Sequence, residues 1–356
     1  VELNVPGREW FDDLTTLSAS ALSGGFTTLA GLPFTQPPID TPELLTWLLR
    51  QAQPLPVELQ VWAPLTTGTR AERMPEFMGL VQAGALGFTD TPLVLHHTGT
   101  LMRAFQYLGL MPRPVWLVPY DTTISPQGSA PESPFTTRLG LPTVPVLAET
   151  LALDRILEVA HYTGYSVHIG PITTEAGVER IRRARERGIT LTASTAPAYL
   201  YFEDTDLATF DTNLKVLPTL RTASDVAALR QAVADGTLDF VASHHSPQPV
   251  EHKAVEFDLA TPGMLALEVS FAVQYTTLVR TGLLSLSELL HRLTYTTRQV
   301  LGLAPPVIAP QMPDTLTYIA EEEWQVTASD FQSRSRNAPW VGRTFSARVV
   351  QPDVQS

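Results

Sequence analysis

At 356 residues, 44% of them hydrophobic, the chain can bury one large core, and a barrel of roughly 250 residues with additions fits that length. A net charge of −12 argues against a nucleic-acid surface, which wants a basic face, and no apolar run approaches the roughly 20 residues of a membrane span. The absence of cysteine excludes disulfides and thiolate metal sites. From cysteine usage a cytoplasmic location is the expectation; no signal or transit segment is visible, but a chain opening at Val1 is expected to have been trimmed, so targeting is not judged from this end.

Taken in chain order, FTTLAGLP (26–33) reads as a buried strand. A helix is predicted to open near Thr41-Pro42, where threonine caps and proline takes the first turn. Strands follow over 57–64, 85–90, 115–120, 165–170, 189–194 and 238–243. Helices lead them in, and Gly164, Gly188 and Gly236 suit helix ends. This alternation predicts parallel β/α units, and so many units favour a closed barrel.

Two segments break the rhythm. Ser125 to Leu139 is rich in proline and serine and predicts a long loop at the barrel mouth. Two helices are expected at about 263–281 and 285–301, followed by a proline-rich linker, APPVIAPQMPD (304–314). From Thr315 onward TLTYIA, WQVTA and FSARVVQ predict short antiparallel strands. The expected division is a barrel domain at 1–304 and a small β domain at 305–356.

RIRRARERG (180–188) is the dense basic run, with Val178, Ile181 and Ala184 at helical spacing inside it. A solvated helix face is the expectation and an anion site the alternative. Of the histidines, His244 and His245 lie side by side at a strand end and point to opposite sides, so one faces the barrel interior. His96 and His97 open a helix as surface or capping groups, His161 sits at a helix end, His252 in a loop and His291 in a helix.

Four further segments stand in order: GGFTTLAGLPFTQPPIDTPE, FTTRLGLPTVPVLAE, KAVEFDLATPGMLALE and SRSRNAPWVGR. Together they resemble the dihydroorotases of the amidohydrolase superfamily, over nearly the whole chain. Within that group the chain is most similar to catalytically inactive pseudo-dihydroorotases. The resemblance implies a distorted (β/α)8 TIM barrel of the metal-dependent hydrolase type, with its site at the C-terminal ends of the strands. It also implies a small β-sandwich from both chain ends, of which the N-terminal part is missing here.

Carried over one residue at a time, the resemblance finds a frame with altered sockets. In VELNVPG, Glu2 stands at the second metal histidine, the first would precede Val1, and Asn4 replaces a carboxylate-gripping arginine. Pro6 and Gly7 keep the turn. Phe34 replaces a substrate asparagine, and Pro171 and Ala198 replace metal histidines. Leu217 replaces another substrate asparagine, while Lys215, Pro218 and Arg221 are retained. In VASHHSPQ, His244 takes the place of the catalytic aspartate and Gln248 that of the last histidine. His168 matches a histidine that is not a ligand in the family.

No intact catalytic residue is therefore expected. The family uses zinc, but neither metal nor other cofactor is expected here; a repurposed metal set, if formed, would use Glu2, His168 and His244. Phe34, Tyr199 and Leu217 would make the old pocket apolar and partly filled. Three functions follow. The first is a silent dihydroorotase homologue of pyrimidine biosynthesis, a homo-oligomer kept as an assembly partner of aspartate transcarbamoylase. The second is an active cyclic amidohydrolase with altered metal use. The third is a small-molecule binder without reaction.

Overall fold

The computed structural model describes residues 1–69, 73–91, 97–111, 113–307 and 316–350. Strands β1 (Thr28–Gly31) and β2 (Glu58–Val61) pair in parallel, with Ala30 opposite Gln60. Strand β3 (Trp116–Leu117) is followed by a short parallel pair, β4 (Ala130–Pro131) and β5 (Thr143–Val144). Strands β6 (Val167–Ile169), β7 (Leu191–Thr195) and β8 (Phe240–Val241) then join β3 in a parallel sheet of order β3-β6-β7-β8.

Single-residue bridges complete the ring. Phe88 bridges Ala63, just past β2, and Val115, just before β3. At the start of the chain Glu2 bridges Leu32 past β1, and its N–H donates to the His245 carbonyl at 3.0 Å, past β8. Eight parallel positions therefore close on themselves, some of them reduced to one bridge. The result is a distorted (β/α)8 barrel.

Local chemistry explains the elements. The helix Pro42–Ala52 opens where Thr41 accepts a hydrogen bond from the Leu44 N–H and Pro42 takes the first turn. Gly164, Gly188 and Gly236 end helices at φ of +67°, +80° and +81°, a backbone state that glycine reaches without strain. At Gly170 a Cβ would stand 2.3 Å from Ser194 Oγ, so only glycine lets β6 lie this close to its neighbour.

Three expectations are corrected. The predicted loop 125–139 contains β4 and a helix, Pro134–Leu139. Ser133 caps that helix and Gly140 ends it at φ +75°, so strong local capping overrides the missing periodicity. The predicted helix 263–281 begins only at Ser270. Before it, Ser246 N–H donates to Met264 O and Leu265 N–H donates to Asn337 O, so the backbone is committed to non-helical partners. His252 lies in a short helix, Val250–Lys253, and not in a loop.

Two antiparallel pairs follow the barrel. Strand β9 (Tyr318–Ala320) precedes β10 (Trp324–Gln325), β11 (Thr344–Phe345) and β12 (Arg348–Val350); β9 pairs with β12 and β10 with β11. Most of the predicted linker lies outside the described residues. Among the described residues no helix is long and apolar enough to cross a membrane.

Candidate functional site

A cavity of about 1000 Å³ runs from the C-terminal ends of the barrel strands past Thr28, Trp116 and Phe240 to Leu293, Ile319 and Val349. Glu2, Phe34, Pro171, Ala198, Leu217, His244 and Gln248 all line it. The fold thus brings together positions that lie far apart in sequence, at the place where barrels of this kind carry their chemistry. Asn4 lies outside the lining: it is 3% exposed, and neither atom of its amide has a hydrogen-bond partner among the described residues. Tyr199 is fully buried, its hydroxyl donating to Pro218 O at 2.6 Å.

The charges of the mouth belong to a local network. The Glu2 carboxylate accepts a hydrogen bond from the Ser246 hydroxyl and pairs with the Arg8 guanidinium at 3.4 Å. Burial pushes the Glu2 carboxyl up, while Ser246 and Arg8 pull it down. Arg8 also donates to the Phe34 carbonyl and lies over the Phe11 and Phe34 rings, at 5.6 and 5.5 Å. Gln248 is held by its N–H to Asn337 Oδ1 at 3.1 Å and by its amide to Ser246 Oγ at 3.3 Å.

Burial holds His168, His244 and His245 neutral. His168 Nδ1 meets Thr192 Oγ1 and Nε2 meets Ser194 Oγ, both at 2.9 Å. Its ring stacks on Phe240 at 5.0 Å, and burial pushes its pKa down to about 3. His245 turns Nδ1 toward the Ala266 and Leu267 N–H groups, at 3.1 and 3.2 Å, which places its own proton on Nε2. His244 stands at φ +52°, its ring 6.2 Å from that of Tyr199, and burial lowers its pKa to about 4. The expected aspartate position therefore holds an uncharged ring of weak basicity.

These residues do not fit the zinc that the resemblance implies. Pro171, joined to Gly170 by a cis bond, and Ala198 offer no side-chain donor, whereas zinc wants three or four ligands. No group of three or more His, Cys, Asp or Glu side chains placed to hold a metal ion occurs among the described residues. The conditional set of Glu2, His168 and His244 is accordingly not assembled. His168 belongs to the barrel core and does not line the cavity.

The remaining candidates have structural tasks. Lys215 Nζ donates to Asp258 O at 2.7 Å, and Arg221 donates to Thr173 Oγ1 and Val144 O at 3.0 and 3.3 Å. His97 takes the N-cap position of the helix Thr98–Leu108 without a side-chain cap bond; His96 lies outside the described residues. His161 is exposed on its helix, His252 packs on Phe11 at 5.1 Å, and His291 stacks on Tyr295 at 5.3 Å. In the basic run Arg180, Arg182, Arg183, Arg185 and Arg187 pair with Asp154, Asp235, Glu179, Asp239 and Glu158, which makes it a solvated helix face.

Sequence reasoning missed Arg8 and Ser246, the partners of Glu2. It also missed Asp90, whose carboxylate takes the Thr66 N–H at 3.0 Å and hydroxyl at 2.7 Å, with burial pushing its pKa up to about 6. An aspartate ending a predicted barrel strand was the available signal for it.

Residues 1–176 match the family described as dihydro-orotase-like. The dihydroorotase of Ruminiclostridium cellulolyticum is 33% identical over 343 residues, covering 96% of this chain and 80% of that protein. The dihydroorotase of Pelobacter propionicus is 33% identical over 352 residues, covering 98% and 83%. Among solved structures, the L-hydantoinase (dihydropyrimidinase) from Arthrobacter aurescens superposes with a TM-score of 0.82 at 24% identity, covering 94% of this chain and 77% of that one. The dihydropyrimidinase from Brevibacillus agri NCHU1002 gives 0.83 at 17% identity, covering 98% and 80%. The structural likeness places the barrel and its additional β region among amidohydrolase-type folds.

Proposed function

The chain belongs to the dihydroorotase family, and we propose that it has kept the family's frame and lost its reaction, serving as a structural or assembly partner of aspartate transcarbamoylase in cytoplasmic pyrimidine synthesis. One observation carries the loss: Pro171, Ala198 and His244 line one mouth where two metal ligands and a catalytic carboxylate are expected. A zinc hydrolase needs donors for the ion and a carboxylate to manage the proton of its bound water. Proline and alanine cannot ligate, and an imidazole with a pKa of about 4 is a poor base at neutral pH.

The retained motifs support a role through folding and surfaces. At Gly24 a Cβ would stand 2.1 Å from Leu267 O, so the GGFTT turn is required for packing. Trp340 of the NAPWVGR segment is fully buried, with its indole N–H donating to Leu265 O at 2.6 Å. Asn337 Nδ2 donates to Ser246 O at 2.9 Å, which holds the loop after β8. Each holds the barrel's packing together.

Active cyclic amide hydrolysis is the second proposal, favoured by the cavity that the mouth retains. Co-elution separates the assembly role from both alternatives: the chain mixed with aspartate transcarbamoylase should migrate as a complex in size-exclusion chromatography with light scattering. Separate elution at concentrations well above micromolar would overturn the partner assignment.

A further inference from the structure

Two distant parts of the chain, the N-terminal segment and the turn after β8, meet on the Glu2 carboxylate. Ser246 donates its hydroxyl, Arg8 supplies a guanidinium at 3.4 Å, and the side chains of the ion pair are 12% and 13% exposed. The Glu2 N–H also closes the barrel seam on His245 O at 3.0 Å. A carboxylate this deeply placed needs a compensating cation, because desolvation disfavours its charge.

Arg8 is positioned for that task by contacts of its own. Gly7, at φ +95° with its Cβ position 2.0 Å from Gln36 O, makes a turn that only glycine fits. Arg8 follows it, its N–H donating to Asn4 O at 2.8 Å. Its side chain donates to the Phe34 carbonyl and lies over the rings of Phe11 and Phe34. A planar guanidinium serves a carbonyl and a carboxylate together, which the single ammonium of lysine does less well.

We infer that the Arg8 guanidinium is an internal cation that replaces the structural work of a metal ion at this mouth, neutralising Glu2 and tying the start of the barrel at Glu2 to the Phe34 carbonyl past β1. The inference rests on the empty metal site proposed above, since a bound ion would compete for the same carboxylate. Removing one partner of such a pair strands a buried charge, whereas removing both is close to neutral.

The test is a double-mutant cycle on the full chain, read by thermal unfolding with EDTA and with added zinc. Arg8→Met should lower the melting midpoint by roughly 5 °C, and Arg8→Gln behave alike, while Arg8→Met/Glu2→Gln should return to within about 2 °C of wild type. Arg8→Lys keeps a charge and should fold with an intermediate midpoint, should the methionine variant not fold. Additive single effects, or an Arg8→Lys chain as stable as wild type, would overturn the role of Arg8. A wild-type midpoint that falls in EDTA and recovers with zinc would instead overturn the empty site.

Discussion

His168 Nε2 lies 2.9 Å from Ser194 Oγ across the β6–β7 ladder, and with Thr192 on its other nitrogen the ring has no lone pair to spare. His168→Ala should cost about 3 kcal/mol, from a lost buried ring and two stranded hydroxyls. Urea unfolding measures the loss. Metal content should be the same in both proteins, and a drop confined to the variant would make His168 a ligand after all.

Acid should weaken the wild-type fold partly through this residue. The folded state holds His168 neutral down to a pKa of about 3, whereas the unfolded chain takes up a proton near 6.5. Stability is therefore lost as pH falls from about 6.5 toward 3. In His168→Ala the acid-side slope should be shallower, and parallel pH profiles would contradict the assignment.

Glu268 titrates in the opposite sense. Its carboxyl is 5% exposed and pushed up to about 7 by burial, with the like charge of Asp12 adding to the rise. The folded state keeps a proton that the unfolded state has released, so this contribution is present at low pH and is lost as pH rises from about 4.5 through 7. Glu268→Gln should consequently compare better with wild type at pH 8 than at pH 5, by on the order of 3 kcal/mol. Equal differences at the two pH values would remove the basis for this account.

The arginine-rich helix should be tolerant. Arg183 and Arg187 pair with Glu179 and Glu158 at 2.7 Å, but their side chains are 70% and 49% exposed. Arg183→Ala and Arg187→Ala should each leave the unfolding midpoint nearly unchanged, because exposed pairs contribute little. Unfolding titrations at low and high salt check this.

The frame was legible in the sequence because its causes are local. Thr41-Pro42 opens a helix and Gly188 ends one wherever the rest of the chain lies, and alternating apolar runs require β/α units. What escaped depended on distant partners. Ser246 and Glu2 are 244 residues apart, and nothing near Glu2 in sequence announces that contact. His168 read as a candidate ligand because its hydroxyl partners sit on β7 and are ordinary strand residues by pattern. Residues 264–269 read as helix for the same reason, since Leu265 finds its partner in Asn337.

Zinc per chain tests the central claim most directly, measured by elemental mass spectrometry on protein purified without chelator. The account predicts far less than one equivalent, with no interconversion of carbamoyl-aspartate and dihydroorotate by the same sample. About one or two zinc ions per chain, the range of a working hydrolase, would contradict it.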